Sequence, residues 1–515
     1  MTTTDRKILL AFLAVSLILR LACLNLNSAE YTDGIFQITA FERGFTFWPP
    51  VYTIATKACA LATRDLELAA KLVSILSSAL VLIPLFGLTL RLAGRRAAIY
   101  AALFYLANPI AGRWGIRVMS DSLFALLFFW ATVLFLRILE WQRRRETAGG
   151  EGDLIPPPVN ALVAASVMAP LATLTRYQGI LLLPLQWLAL RAILSRRGSI
   201  QPSNKFTVIV TPILAWLVAL GWLTTHVAIH QKQIAQRAGP WLAQAFVNYW
   251  QLAESFILLF PYFVTIPIFV LFAIGLGLSL AGDRNRQVFA WAFLAFAAVV
   301  LAMQSVFAAF QERYLLPLVP FMMTLAGIAA SRWEEGARRR PAVVRAVLVL
   351  ILLYCFAWTS AVLFRQRETF GDIKQAAQYC AKLPPQARIF SNEWFGGDQP
   401  AVKMSFWSGR PVQGWDGSQS LTRGDYLCLH SGIYGQSAPY PALGPSPRFQ
   451  EQLEAVRARY DCKEIERFYA RTVPLLPDIM DSRDTHTSPL AWFFRYSPQR
   501  FCTVTLKIEG PRSAR

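Results

Sequence analysis

Acidic and basic side chains stand where long apolar stretches of the chain end. Glu30 and Asp33 lie in Ala29-Glu30-Tyr31-Thr32-Asp33-Gly34, just beyond an apolar segment that begins at Ile8. Asp121 follows Ser120 and opens a second apolar stretch, with Arg117 and Arg113 one and two helical turns before it. Arg176 and Tyr177 occupy a short polar turn, Leu174-Thr175-Arg176-Tyr177-Gln178-Gly179, and Arg313 begins Arg313-Tyr314-Leu315-Leu316-Pro317. A carboxylate at a partly desolvated boundary has its pKa raised toward values useful for taking a proton from a hydroxyl. Guanidinium groups hold phosphate through paired hydrogen bonds. Each position also has a plainer reading. Glu30 and Asp33 can solvate a loop and cap a short helix, Asp121 suits the positive end of a helix dipole, and Arg176 can extend toward lipid headgroups.

The elements that must position these residues are apolar. The chain has 515 residues, of which 55% are hydrophobic and 16% charged, and its mean hydropathy is +0.38. That composition excludes an ordinary soluble protein. Windows of about 20 residues that could cross a bilayer fall near 8–26, 67–90, 97–112, 121–139, 159–175, 177–194, 206–229, 255–280, 288–308, 314–330 and 342–363. The prediction is a mainly α, polytopic transmembrane helical bundle of about eleven spans, occupying residues 1–363.

The formal charge of +20 could suggest nucleic acid, but the basic residues concentrate in alternate connections, among them Arg91-Leu92-Ala93-Gly94-Arg95-Arg96, Arg143-Arg144-Arg145 and Arg338-Arg339-Arg340. They mark the cytoplasmic side and imply no nucleic-acid partner. The N-terminus is then cytoplasmic, and the candidate residues and everything after Phe364 lie on the other side. The first span follows Arg6 and Lys7 as a signal peptide would. Arg20 interrupts it, and its removal would invert the charge pattern downstream, so it is read as an anchor.

The first outer connection should form short helices over Gly34–Phe41 and Val51–Leu61, divided by Trp48-Pro49-Pro50. Residues 140–158 read as a charged, Pro-rich linker, and 230–254, with Trp241, Tyr249 and Trp250, as an interfacial loop. Residues 364–515 alternate helical pattern (Asp372–Leu383, Phe449–Tyr460) with strand pattern (Arg388–Phe390, Asp425–Leu429, Phe501–Ile508), which predicts a C-terminal extracytoplasmic α/β domain. Cys380, Cys428, Cys462 and Cys502 fall there and permit two disulfides in an oxidising compartment. With four histidines and no ligand spacing, a zinc site is not expected and no cofactor is assigned, a divalent cation being the one addition left open.

Taken in order, Asp33-Gly34-Ile35-Phe36, Trp48-Pro49-Pro50-Val51-Tyr52, Glu67-Leu68-Ala69-Ala70-Lys71-Leu72, Arg117-Val118-Met119-Ser120-Asp121, Leu174-Thr175-Arg176-Tyr177-Gln178-Gly179 and Arg313-Tyr314-Leu315-Leu316-Pro317 resemble the successive motifs of the protein mannosyltransferase and aminoarabinose transferase group, glycosyltransferases of the GT-C fold. The likeness covers about residues 8–330. It implies a sugar donor carried on polyprenyl phosphate, a lipid, glycan or protein acceptor, and a bacterial plasma membrane. It also implies that Asp33 and Asp121 are the catalytic acids of the first and second outer loops and that Arg313 lies near the donor. The group often has Asp-Glu where this chain has Asp33-Gly34, and Glu30 could compensate. Arg113, Arg117, Arg176 and Tyr177 are the further candidates for binding the donor. A transporter or flippase of a lipid-linked anion would use outward arginines and interfacial acids too, and a noncatalytic anchor presenting the α/β domain is a third reading. Transporters tend toward internal repeats and polar groups at the midplane, and neither is visible here.

Overall fold

The computed structural model describes residues 1–43, 48–147, 158–194, 206, 209–225, 264–307, 312–337, 339–365, 367–392, 400–431, 447–472 and 499–512. The loop 230–254 and residues 148–157 of the linker lie outside the described residues. Contacts divide the chain into two compact units. One holds Met1–Ala22 and Ile38–Ser360, and the other holds Cys23–Gln37, Ala361–Pro477 and Arg483–Arg515.

The first unit is a helical bundle. Its described elements are α1 (Thr3–Ala22), α3 (Ala40–Arg43), α4 (Val51–Thr63), α5 (Leu66–Leu80), α6 (Leu82–Leu106), α7 (Pro109–Trp114), α8 (Asp121–Thr147), α9 (Val159–Thr173), α10 (Leu183–Leu194), α11 (Ile209–Thr225), α12 (Ile266–Leu280), α13 (Arg284–Phe307), α14 (Val319–Gly336) and α15 (Pro341–Arg365) up to Ser360, while α2 (Thr32–Ile38) belongs to the second unit through Gln37. Two 3₁₀ turns, Tyr177–Leu182 and Glu312–Leu318, precede α10 and α14. The helix expected over Gly34–Phe41 is two short pieces, α2 and α3, and that over Val51–Leu61 is α4.

Among the described residues six helical stretches are long and apolar enough to cross a membrane: Leu66–Leu106, Asp121–Thr147, Tyr177–Leu194, Arg284–Ala302, Arg313–Gly336 and Pro341–Phe364. The chain is an integral membrane protein. The expected eleven spans are not all of this kind: α9, α11 and α12 are shorter, and α1 carries Asp5, Arg6, Lys7 and Arg20.

Leu66–Leu106 contains two of the expected spans, and Gly94 breaks it with φ 84° and ψ −179°, a backbone conformation that side chains with a Cβ rarely adopt. The chain reverses there. Thr89 before the break donates to Thr324 of α14, while Ala97 and Ala101 after it meet Gly327, only three residues further along α14. A straight helix would have risen about 12 Å between Thr89 and Ala97.

Contacts along α1 fix the two ends of the bundle. Asp5 pairs with Arg95 beside the reversal at 2.6 Å, and Arg20 lies near the far end, where Nη1 donates to Ser16 (2.6 Å) and Nε to Ser78 (3.0 Å) under the Tyr105 ring. The arginine that interrupts the first apolar segment is therefore buried and bonded. Arg345 pairs with Glu334 at the Asp5 end, and α15 reaches the other end by Thr359, which donates to the carbonyl of Ala107.

The second unit contains α16 (Gly371–Cys380), β1 (Ile389–Asn392), α17 (Pro400–Ser408), β2 (Val412–Trp415), β3 (Tyr426–His430), α18 (Pro447–Arg459), β4 (Tyr460–Thr472) and β5 (Gln499–Pro511). The sheet order is β2-β1-β3-β5-β4, with β1 parallel to β2 and β3, and β5 antiparallel to β3 and β4. All five residues of β3 are buried, because both faces of the sheet are covered. Leu427 and Leu429 join Phe449, Leu453 and Val456 of α18 on one side, while Cys428 joins Ile373, Ala377 and Met404 on the other with Ala29 of the first loop.

The cysteine expectation is corrected here: all four are free thiols. Cys462 is registered with Ile508 of β5, six residues from Cys502, which separates those two by about 20 Å. Cys380 and Cys428 alone face each other, with sulfurs 3.7 Å apart. The hydrogen bond from Cys428, together with nearby Arg410, holds the Cys380 thiol below its ordinary pKa, while the same contact and burial push Cys428 up.

Candidate functional site

Three short irregular segments carry the arginines of the first unit. In α7 the Asn108 side chain accepts from the backbone of Ala111 (3.0 Å) and Pro109 sits in the first turn, so the helix starts sharply and presents Arg113 and Trp114 at its end. The turn 115–120 follows, carrying Arg117. It is fastened by Ser74 donating to the Met119 carbonyl (3.1 Å) and Ser122 donating to that of Trp114 (2.9 Å). Asp121 then opens α8. The turn bearing Arg176 is tied to the start of α4 where Val51 N–H donates to the Leu174 carbonyl (3.0 Å), and Tyr52 donates in turn to the Ala70 carbonyl of α5 (3.1 Å). Arg313 and Tyr314 sit on the 3₁₀ turn that contains Pro317.

These segments join in one buried chain of contacts. Arg176 Nη1 donates to Asp121 Oδ1 at 2.8 Å. The Arg176 guanidinium lies 5.0 Å from the Tyr314 ring centre, and Arg313 lies 5.3 Å from the same ring. Arg313 also lies 5.7 Å from the Trp114 ring, against which Arg113 stacks at 4.8 Å. Arg313 Nη1 reaches Met119 Sδ at 3.5 Å. All four arginines, Arg117 included, are buried, and Asp121 is 1% exposed. Its second oxygen, Oδ2, is buried without a hydrogen-bond donor among the described residues. Burying charge is costly unless each group is paired and hydrogen bonded, and guanidinium groups gathered on aromatic faces are an arrangement that can receive an anion. Asp121 fixes the direction of one of them.

Sequence reasoning named Arg113, Asp121, Arg176 and Arg313, and the structure brings these four together. Arg117 lies on the intervening turn and is buried, 1% exposed. Tyr177 is half-buried against Trp222. Glu30 and Asp33 belong to the second unit: Glu30 is 1% exposed, and Asp33 is half-buried in the first turn of α2, where a helix dipole favours a carboxylate. Their segment is held by Ser28 N–H donating to the Arg367 carbonyl (2.7 Å) and by Tyr31 packing edge-on to Phe370 (5.4 Å). Trp114 and Tyr314 were missed as parts of the site. A signal existed in the dipeptides Arg113-Trp114, Arg176-Tyr177 and Arg313-Tyr314, each setting an aromatic ring beside an arginine.

Also unforeseen was the buried contact of Asp372 Oδ2 with His430 Nδ1 (2.7 Å) and with the Thr503 hydroxyl (2.9 Å), which ties α16 to the sheet. Among the described residues no group of three or more His, Cys, Asp or Glu side chains forms a metal site.

No protein-family model matches the chain, and no curated protein does. Solved structures resemble it along nearly its whole length. ArnT from Cupriavidus metallidurans in the apo state is 14% identical, with 98% of each chain covered and a TM-score of 0.57. The same protein bound to undecaprenyl phosphate gives 15%, 98% of each chain and 0.58. The archaeal oligosaccharyltransferase AglB from Archaeoglobus fulgidus, in complex with an inhibitory peptide and a dolichol-phosphate, is 10% identical over 98% of this chain and 89% of its own, with a TM-score of 0.54. At such identities the likeness is one of fold, and the fold is GT-C.

Proposed function

We propose that the protein is a membrane glycosyltransferase that moves a sugar from a polyprenyl-phosphate donor to a hydroxyl of a lipid, glycan or protein acceptor. The observation that carries this reading is the buried run from Arg113 through Trp114, Arg313, Tyr314 and Arg176 to Asp121. It is supported by the GT-C fold and by undecaprenyl phosphate and dolichol-phosphate in the solved relatives.

In the proposed reaction the acceptor oxygen bonds to the anomeric carbon as the bond from that carbon to the phosphate oxygen breaks. The acceptor proton passes to the Asp33 carboxylate, and the departing polyprenyl phosphate takes the bonding electrons. Arg113, Arg117, Arg176 and Arg313 stabilise its growing charge, which does most good where the donors are already in place. Asp121 holds Arg176. Glu30 is proposed as the second acid absent at Gly34, and Tyr177 as a neighbour of the donor. The proposal includes the full set of eleven crossings, a bacterial plasma membrane, a cytoplasmic N-terminus, and an extracytoplasmic face for these residues and for residues 364–515.

The test is purified protein with a panel of labelled polyprenyl-phosphate sugars, scoring free polyprenyl phosphate. Its release with label on an acceptor is the expected result. Passage of intact lipid across the bilayer with no release would instead establish a transporter.

A further inference from the structure

At the bundle end opposite Asp121, a cavity of about 240 Å³ opens between α6, α8 and α13. Arg91, Arg137, Arg143 and Arg284 line it together with Glu140 and Glu146. The neighbouring arginines outside the cavity have carboxylate partners: Arg144 pairs with Glu140 at 2.5 Å and Arg286 with Asp283 at 2.6 Å. Among the described residues the four lining guanidinium groups make no ion pair and no hydrogen bond, while Glu146 already accepts from Gln142 (2.9 Å). Positive charge is therefore gathered around a space whose remaining walls include Leu88, Leu136, Val288 and Phe289.

The depth of the cavity identifies the ligand class. Along α8, Asp121 and Arg137 are sixteen residues apart, about 24 Å, and Arg143 lies about 33 Å from Asp121. A hydrocarbon core is about 30 Å thick, so Arg143 stands at headgroup level on the far face and Arg137 about 6 Å short of it, a gap its long side chain can span, with the leucine, valine and phenylalanine walls reaching toward the acyl region. A free anion needs no apolar wall, whereas a lipid needs both parts. Basic pockets between transmembrane helices suit anionic headgroups.

We propose that this cavity is a binding site for an anionic phospholipid, its phosphate held by Arg91, Arg137, Arg143 and Arg284 and an acyl chain lying along the apolar wall. The site is separate from the arginine–aromatic run near Asp121, and its occupancy does not depend on the reaction performed there.

The experiment is native mass spectrometry and thermal melting of the full chain, delipidated in neutral detergent and titrated with phosphatidylglycerol, phosphatidylcholine or inorganic phosphate. Phosphatidylglycerol is expected to be retained and to raise Tm. Each arginine near a membrane surface contributes about 1 kcal/mol, about fivefold in affinity, so Arg137→Gln with Arg284→Gln should weaken retention by more than tenfold. Glu140→Gln removes a negative charge from the rim and should tighten retention, a gain that a misfolded variant cannot produce. Arg332→Gln, outside the cavity, is the unchanged control. Equal retention of phosphatidylcholine, competition by inorganic phosphate at the lipid's own concentration, or indifference to all three substitutions would each overturn the proposal.

Discussion

The Asp121–Arg176 pair offers the sharpest test of the buried site. Two unit charges 2.8 Å apart attract by about 6 kcal/mol at an effective dielectric constant near 20. Both side chains are nearly excluded from solvent, at 2% and 10% exposure, so removing one partner leaves the other buried without it. Asp121→Asn and Arg176→Gln should each cost about 3–5 kcal/mol of stability. The double substitution should cost far less than their sum, because neutral side chains of similar volume remain, and the coupling energy should exceed about 3 kcal/mol. Equilibrium unfolding in mixed micelles, run as a double-mutant cycle, measures it. Single effects that add to within about 0.5 kcal/mol would show that the pair does not act as a unit. A second measurement separates holding from binding. Asp121→Asn frees Arg176 for a phosphate, so affinity for polyprenyl phosphate should be kept or tightened while its release from a donor falls, whereas Arg176→Gln should lose affinity. Parallel losses of affinity would refute the assignment of Asp121 as the residue that orients Arg176.

Asp33→Asn keeps size and removes the proton acceptor, so transfer should fall by about 10²–10⁴-fold with donor binding retained; near-normal turnover would refute its role as base. Gly327→Ala would set a Cβ 2.5 Å from the Ala97 carbonyl oxygen and 2.9 Å from Ala101, and forcing α14 away from α6 should cost about 1–3 kcal/mol in the same unfolding assay. Cys380 and Cys428 should be the pair that oxidation joins, leaving Cys462 and Cys502 free to alkylation in nonreducing peptide maps. Because 48 positions separate them, the link should stabilise the second unit by about 4 kcal/mol on the chain-entropy estimate, and a Cys462–Cys502 link would contradict the strand register.

Helices were legible wherever apolar length alone determines them. Every expected window contains a described helix, and the basic turn around Gly94 was read as a reversal between two spans. The number of crossings was not legible in the same way, because α9 is only 15 residues long and the apolarity of a helix this short does not distinguish a crossing from burial. In the second unit the central strands announced themselves by apolar runs, but β4 did not. Its Asp461, Lys463, Glu464, Glu466 and Arg467 are spread along an edge strand with two register shifts, and no clean alternation survives. At the site, residue types located the arginines, yet the partnership of Asp121 with Arg176 spans 55 positions. Local periodicity reaches three or four residues and says nothing about such a pair.

α14 imposes an order on biosynthesis. In the apolar window within Arg313–Gly336 the buried share is 94%, against 22% for that of the next stretch, Pro341–Phe364. On one side α12 brings Gly275 against the Leu325 backbone, and on another Gly327 meets Ala97 and Ala101. A ribosome delivers α14 more than 200 positions after those alanines, so the nascent protein must keep a slot open between segments already inserted. A chain halted before residue 336 would expose small-residue faces made for a helix, not for acyl chains, and such a fragment is what membrane quality-control proteases would be expected to meet.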